Sequence, residues 1–272
     1  MTFGIAIFLG ILQGITEFFP VSSSGHLLLA EHFFVLDVEN LKAFDVVLHA
    51  GTLVALLALF WREWFGIAVG GWRLAIGKKL TEQNSENLKL FFQLIIATIP
   101  AAVIGLAFGD AIDEFTRGEN RVSIVVGFFV LVAVALFFAE KFGKKNSEKV
   151  GWKNIFAMAI SQSAALFPGV SRSGATIAAG MFSGLSRSVA AKFSFLMLAP
   201  VTAGAVILIA KKVVDGELYL PPTAFTLVGF AVSAVVSFAA AALLLRFVRK
   251  NSLVVFAIYL IFVAAVLLFT NF

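Results

Sequence analysis

The sequence predicts an all-α integral membrane protein: six transmembrane helices plus two re-entrant helix-loop-helix hairpins, arranged as an inverted-topology repeat. Three observations lead there. Of the 272 residues, 60% are hydrophobic and only 14% charged, and the mean hydropathy is +0.99. A soluble domain carries roughly a quarter charged residues, so apolar surface in such excess belongs in lipid. Two of the apolar stretches are interrupted by Pro, Gly and Ser, and the two interruptions resemble each other.

Taken in order, the first interrupted stretch is Thr2–Leu36, broken at Pro20-Val21-Ser22-Ser23-Ser24-Gly25. Three apolar segments long enough to cross follow, Leu41–Phe65, Leu88–Phe108 and Val122–Lys141; a crossing needs about 20 residues. Between tryptophans, Gly66 to Gly71 reads as an interfacial stretch anchored by Trp61, Trp64 and Trp72. The second interrupted stretch, Trp152–Leu185, breaks at Pro168-Gly169-Val170-Ser171-Arg172-Ser173-Gly174, and three more spans follow: Ser188–Ala210, Thr223–Leu245 and Leu253–Asn271. The arms of each interrupted stretch are too short for two crossings. Irregular backbone at membrane depth survives only inside protein or against a wet cavity, so each stretch is read as a hairpin that enters and leaves on one side.

A shift of 149 residues lays Gln13 on Gln162, Phe18 on Phe167, Val21 on Val170, Ser22 on Ser171, Ser24 on Ser173 and Gly25 on Gly174; further on, Phe44 meets Phe193 and Ala50 meets Ala199. The chain is thus one membrane domain of two repeats, 1–143 and 144–272, each a hairpin followed by three spans. Three is odd, so the second repeat is inverted, a design that places a site where broken helices meet at the repeat interface.

The loop charges agree. One side carries only Lys42, Arg117, Arg121, Lys211 and Lys212; every other Lys and Arg, apart from Arg172 inside the second break, falls on the opposite side. By the positive-inside rule the rich side is cytoplasmic and both termini lie outside. The net charge of +5 is therefore a topology signal, and no nucleic-acid partner is expected. With no cysteine, disulfides, thiolate metal sites and Cys nucleophiles are excluded. Met1 to Leu12 shows neither a basic region nor a small-residue cleavage site, so no cleaved signal is expected.

The chemistry concentrates in the breaks. Gln13 and Glu17, four apart, share a face of the first half-helix. Pro20 ends it, and Ser22, Ser23, Ser24 and Gly25 open the next, whose free N–H groups and dipole favour an anion. His26 lies one turn inside. Glu17 and His26 are ionisable groups at lipid depth, which mark function by default, although a buried Glu–His pair could merely lock the fold. The second break supplies Ser171, Arg172, Ser173, Gly174 and Thr176, its helix start directed at the first. Arg172 offers a fork suited to phosphate oxygens; its plainer reading is an ion pair with Glu17. Two helix starts, a fixed cation, hydroxyls, a carboxylate and an imidazole in an apolar body suit a phosphate or pyrophosphate head group on a lipid tail. Outside the breaks, Asp45 and His49 are read as satisfying each other, Glu31 and His32 are weak candidates, and Lys144, Lys145 and Lys149 form a solvated loop.

The segments Glu17-Phe18-Phe19-Pro20-Val21-Ser22-Ser23-Ser24-Gly25-His26 and Pro168-Gly169-Val170-Ser171-Arg172-Ser173-Gly174-Ala175-Thr176 resemble the two signature motifs of the bacterial undecaprenyl-pyrophosphate phosphatase family, the bacitracin-resistance type. The resemblance extends over nearly the whole chain. It implies hydrolysis of undecaprenyl pyrophosphate to the monophosphate carrier lipid, which supports cell-wall (peptidoglycan) synthesis and bacitracin resistance in a bacterial cell membrane. It implies Glu17 as base or metal ligand, Ser23 as a proposed nucleophile, His26 as an essential histidine and Arg172 as the phosphate-binding arginine. Gln13, Ser22, Ser24, Gly25, Ser171, Ser173, Gly174 and Thr176 are the expected substrate-binding surroundings. Gln13 stands where many members have Glu, which leaves Glu17 to do the acid–base or metal work alone. A divalent cation, Mg2+ or Ca2+, is implied by the family rather than by these residues. The expected partners are the membrane and a polyprenyl pyrophosphate lipid, with a homodimer left open. Physics alone also admits a lipid-phosphate transporter, which would use the same helix ends and Arg172; a channel fits poorly, for want of charged rings. Glu17, Ser23 and His26 in mutual reach would favour the enzyme, although a combined hydrolase and transporter stays open.

Overall fold

A computed structural model describes residues 1–36, 38–117, 121–143 and 147–270. Among these the regular structure is all helical, with turns and loops between the helices and a single isolated bridge between Ser147 and Leu185. Eleven helices run in order: α1 Phe3–Phe18, α2 Ser23–Phe33, α3 Val38–Leu59, α4 Trp61–Ala75, α5 Glu82–Arg117, α6 Arg121–Phe142, α7 Trp152–Ala164, α8 Arg172–Phe182, α9 Arg187–Val214, α10 Thr223–Phe247 and α11 Val254–Phe269. Five contain segments long and apolar enough to cross a membrane: Leu41–Leu59, Glu82–Gly109, Arg121–Phe142, Arg187–Val214 and Thr223–Phe247. Many of their large side chains face outward, among them Leu106, Ile207, Leu227 and Leu131, as lipid contact requires. The protein is a multi-pass helical membrane protein.

Two segment boundaries differ from the sequence expectation. The first span stops at Leu59, and Trp61 starts a separate helix that carries Gly66 to Gly71 within it. Of α4 only Gly70 is buried, so this helix lies on the bundle rather than in it. The sixth expected span, Leu253–Asn271, is a helix of 16 residues, Val254–Phe269, about 24 Å long at 1.5 Å per residue and short of a 30 Å hydrocarbon core. Asn271 itself lies outside the described residues, as do Lys144 and Lys145 of the expected solvated loop.

Both sequence breaks are breaks in the structure. Thr2 caps α1 by accepting the Ile5 N–H at 3.3 Å, and the helix stops at Phe18 because Pro20 disfavours a helical residue before it. Ser22 then caps α2. In the second break Pro168 and Gly169 sit at the corner of a turn closed by Val170 N–H donating to Phe167 C=O at 3.0 Å, with Gly169 at φ +98° in the position that demands glycine. Ser171 caps α8. None of α1, α2, α7 and α8, of 16, 11, 13 and 11 residues, reaches a 30 Å core by itself at 1.5 Å per residue.

The helix α6 is the post against which both broken hairpins rest. Its buried row Val125, Phe129, Val132 and Leu136 leaves no room for side chains opposite: a Cβ on Gly25 would meet the Phe129 ring at 2.6 Å, and one on Gly174 would meet Val132 at 2.7 Å. On the other side α3 packs between α9 and α10, and α1 lies along α10.

Candidate functional site

The two helix starts opened by the breaks meet each other. Ser173 Oγ donates to Phe19 C=O at 3.1 Å, and Gly169 N–H donates to Ser24 Oγ at 3.5 Å. At each start a serine satisfies the third N–H of its helix: Ser22 Oγ accepts from Gly25 at 3.3 Å and Ser171 Oγ from Gly174 at 3.0 Å, the ordinary N-cap bond. Ser22 does so at φ +73°, a left-handed conformation that costs a non-glycine residue about 1–3 kcal/mol and that clusters at functional sites.

Glu17 is the hub. Its Oε1 accepts from Arg172 Nη2 at 2.9 Å. Its Oε2 accepts from Ser23 Oγ at 2.5 Å and from Gln13 Nε2 at 3.0 Å, and stands 3.4 Å from His49 Nε2. Arg172 also donates to Ser194 C=O at 3.3 Å, which holds the guanidinium between α1 and α9. Arg172, Ser23 and Gln13 all donate to this carboxylate, which suits its ionised form. A buried pair of this kind is costly to desolvate and more costly still to break, because one charge is then left alone.

A cleft of about 300 Å3 opens onto this hub, lined on its polar side by Thr16, Glu17, Ser23, Ser24, His49, Ser171, Arg172 and Thr202, and on its apolar side by residues such as Val46, Leu166, Val170 and Leu198. A charged floor under apolar walls matches a phosphorylated head with a hydrocarbon tail. The structure therefore brings Glu17, Ser23, Ser24, Ser171 and Arg172 together as the sequence suggests. Gln13, Ser22, Gly25, Ser173, Gly174 and Thr176 stand behind them. Thr176, fully buried, bonds to Arg172 C=O at 2.7 Å and Ser194 Oγ at 2.6 Å, so it supports Arg172 rather than facing the cleft.

The structure places His49, rather than His26, against Glu17. His26 does not line the cleft. Its Nδ1 bonds to Ser22 C=O at 2.8 Å and its Nε2 to Tyr259 Oη at 2.9 Å, and its ring stacks between Phe129 and Tyr259, with centroids 5.2 and 5.7 Å away. The imidazole beside Glu17 and Ser23 is that of His49. The spacing pairs Asp45 with His49, and the structure joins them through the backbone: His49 Nδ1 donates to the Asp45 C=O at 2.8 Å. His49, Tyr259 and Thr202 lie in unbroken helices, and only the first carried a signal in the sequence, as an ionisable group at membrane depth.

A resident divalent cation fits this donor set poorly. The carboxylate oxygens of Glu17 already face Arg172, Ser23, Gln13 and His49, and among the described residues there is no group of three or more His, Asp or Glu side chains that could hold a metal. Gln13 Oε1 is buried with no hydrogen-bond partner among the described residues, but one amide oxygen and one occupied carboxylate fall far short of the six or more oxygens such ions take.

Fold and site define a class: a multi-pass helical membrane protein whose buried charged site, built from two broken helices, is shaped for a phosphorylated lipid. The family model described as bacitracin resistance protein BacA matches residues 6–266. The undecaprenyl-diphosphatase of Caldicellulosiruptor bescii is 40% identical over 273 residues, covering 98% of this chain and 97% of that protein. That of Rubrobacter xylanophilus is 41% identical over 264 residues, 96% and 95% of the two chains. Undecaprenyl-diphosphatase 1 of Bacillus licheniformis is 37% identical over 269 residues, 97% and 96%. The chain belongs to the BacA bacitracin resistance family.

Proposed function

We propose that this chain hydrolyses undecaprenyl diphosphate to undecaprenyl phosphate and inorganic phosphate, recycling the carrier lipid of cell-wall synthesis and thereby conferring resistance to bacitracin. It is a membrane hydrolase acting on a phosphorus anhydride. Membership of the BacA family over residues 6–266 supports the activity. The observation that carries the assignment of residues is the arrangement of Ser23 Oγ and Arg172 on the two oxygens of Glu17, at 2.5 and 2.9 Å.

In this reading Arg172 and the N–H groups opening α2 and α8 hold the diphosphate. Ser23 Oγ attacks the terminal phosphorus and its proton passes to Glu17 Oε2. The bond from that phosphorus to the bridging oxygen breaks, and undecaprenyl phosphate leaves with the proton taken back from Glu17. Water then attacks the phosphoserine, gives a proton to Glu17, and the proton returns to Ser23 as inorganic phosphate departs. Ser23 is favoured over His26 as nucleophile because it has its base in hydrogen-bond contact, whereas both His26 nitrogens are engaged away from the cleft. Since the residues do not fit a resident ion, the Mg2+ or Ca2+ expected of the family would belong with the substrate phosphates. Washing the protein with chelator should then leave its thermal stability unchanged.

The finer topology also belongs to this proposal: six spans, two re-entrant hairpins and repeats 1–143 and 144–272 in opposite orientation. Helix pairings support it. If α1, α2, α3, α5 and α6 answer to α7, α8, α9, α10 and α11, then the packing of α1 on α10 is answered by α7 on α5, and that of α3 on α10 by α9 on α5, while α3 packs on α9 and α6 on α11. Inverted repeats that interlock produce this exchange. Loop charge places the termini outside, which thiol labelling of single introduced cysteines can test in a chain that has none.

The deciding experiment measures phosphate release from undecaprenyl or farnesyl diphosphate by the purified protein in detergent. Release by the wild type that collapses in Arg172→Ala and Glu17→Gln is the expected result. A folded wild type that releases nothing would overturn the reading and redirect attention to lipid transport.

A further inference from the structure

Arg172 is held on one oxygen of Glu17, but the other oxygen faces a second basic group with weaker ties. His49 Nδ1 lies 2.8 Å from the Asp45 carbonyl. A carbonyl only accepts, so Nδ1 carries a proton. Nε2 looks at Glu17 Oε2, an oxygen that already accepts from Ser23 and Gln13, so Nε2 faces an acceptor too. With a proton on Nε2 as well, His49 would be a donor on both nitrogens beside this carboxylate. At 3.4 Å the Nε2 contact is longer than a formed N–H···O bond, about 2.7–3.2 Å, and this N–H is left poorly satisfied. It is also the more accessible basic group of the cleft: the His49 side chain is 28% exposed, that of Arg172 12%.

The backbone beneath His49 is fixed. Gly51 packs so closely on α10 that a Cβ would lie 2.5 Å from Phe230 C=O. Ser233 Oγ donates to Leu48 C=O at 2.7 Å, and Thr52 meets Ser237 Oγ at 3.0 Å. The imidazole is thus presented from a rigid helix face, as a binding group should be.

We infer that His49 is a second phosphate-binding residue, standing across Glu17 from Arg172, and that an entering diphosphate draws its Nε2–H from Glu17 onto a phosphate oxygen. This rests on the reading of the cleft as the diphosphate site. Ser23 and His49 share Glu17 Oε2, so the phosphate that His49 holds is the one that Ser23 attacks. No motif marks this role, because α3 is brought to the first break by tertiary packing against α1, α9 and α10.

The test compares wild type with His49→Ala and His49→Gln in the phosphate-release assay, with inorganic pyrophosphate as competitive inhibitor. The alanine variant should raise both the KM for farnesyl diphosphate and the Ki for pyrophosphate by about tenfold, the loss of one hydrogen bond to a charged group, while kcat changes much less. Glutamine keeps an N–H donor in reach and should recover part of both constants. Should the alanine variant fail to fold, the glutamine variant still decides the matter through its intermediate KM and Ki. Unchanged KM and Ki in both variants, or a loss confined to kcat, would overturn the inference while leaving the phosphatase intact. An inactive wild type would instead defeat the reading on which it rests.

Discussion

The two broken helices share a plan and differ in what they carry. Each is capped by a serine whose Oγ accepts from a glycine N–H three residues on, and each glycine leans on α6. The second break turns on Gly169, the residue suited to positive φ, and Ser171 caps from ordinary extended backbone at φ −67°. The first break turns on Ser22 at φ +73°. Strain is thus placed where Ser23 meets Glu17, and the relaxed break supplies Arg172. In the proposed mechanism the difference is a division of labour: reacting groups on α1 and α2, a binding cation on α8.

Glu17→Gln should break that division most severely. It removes the proton acceptor of Ser23 and leaves Arg172 buried without its anion, so kcat should fall by about a thousandfold or more, in the range of a lost general base and charge stabiliser. Thermal unfolding in detergent should show a destabilisation of about 3–5 kcal/mol, as for a broken buried pair. The double variant Glu17→Gln, Arg172→Ala should be more stable than the sum of the singles, since neither charge is then stranded.

Arg172→Lys should show that the second break binds through geometry as well as charge. A lysine keeps the cation but loses the fork that reaches both Glu17 and Ser194 C=O. Steady-state kinetics should give a KM raised by about tenfold, for one charged hydrogen bond lost. Equal kinetics would sink the claim that the fork matters.

A smaller effect sharpens the strain argument. At Ser22 a glycine relieves the left-handed backbone and costs only a few tenths of a kcal/mol as a cap, so Ser22→Gly should raise stability by about 1 kcal/mol. Ser171→Gly relieves nothing and loosens the unfolded chain, so it should lower stability by about 0.5–1 kcal/mol. Unfolding midpoints of the two variants, measured side by side, should move in opposite directions; movement in the same direction would refute the contrast.

Much of this was legible in residue types and spacing. Membrane class follows from composition, and the breaks from Pro20 and from Pro168-Gly169, because prolines and glycines act on their own neighbours. The Glu17–Arg172 contact was foreseeable as an ion pair because each is a charge buried in a break. The end of α3 at Leu59 was not, since the apolar run continues through Phe60 and Trp61 without a breaking residue, and the chain turns there by tertiary packing. The surroundings of the two histidines were not legible for a related reason. His26 stands inside a motif and His49 outside one, yet a ring is aimed by what surrounds it.

By itself the sequence determined that the chain lives in a membrane, where its two helices break, and which break holds the carboxylate and which the guanidinium. These properties are local, set by hydropathy, by caps and by residues that cannot continue a helix. Only the tertiary structure decided that Phe129 and Tyr259 enclose His26, that Thr176 supports Arg172 from behind, and that α3 brings His49 to Glu17. Those contacts join residues far apart in the chain, and their geometry depends on how helices pack rather than on any pattern within one of them.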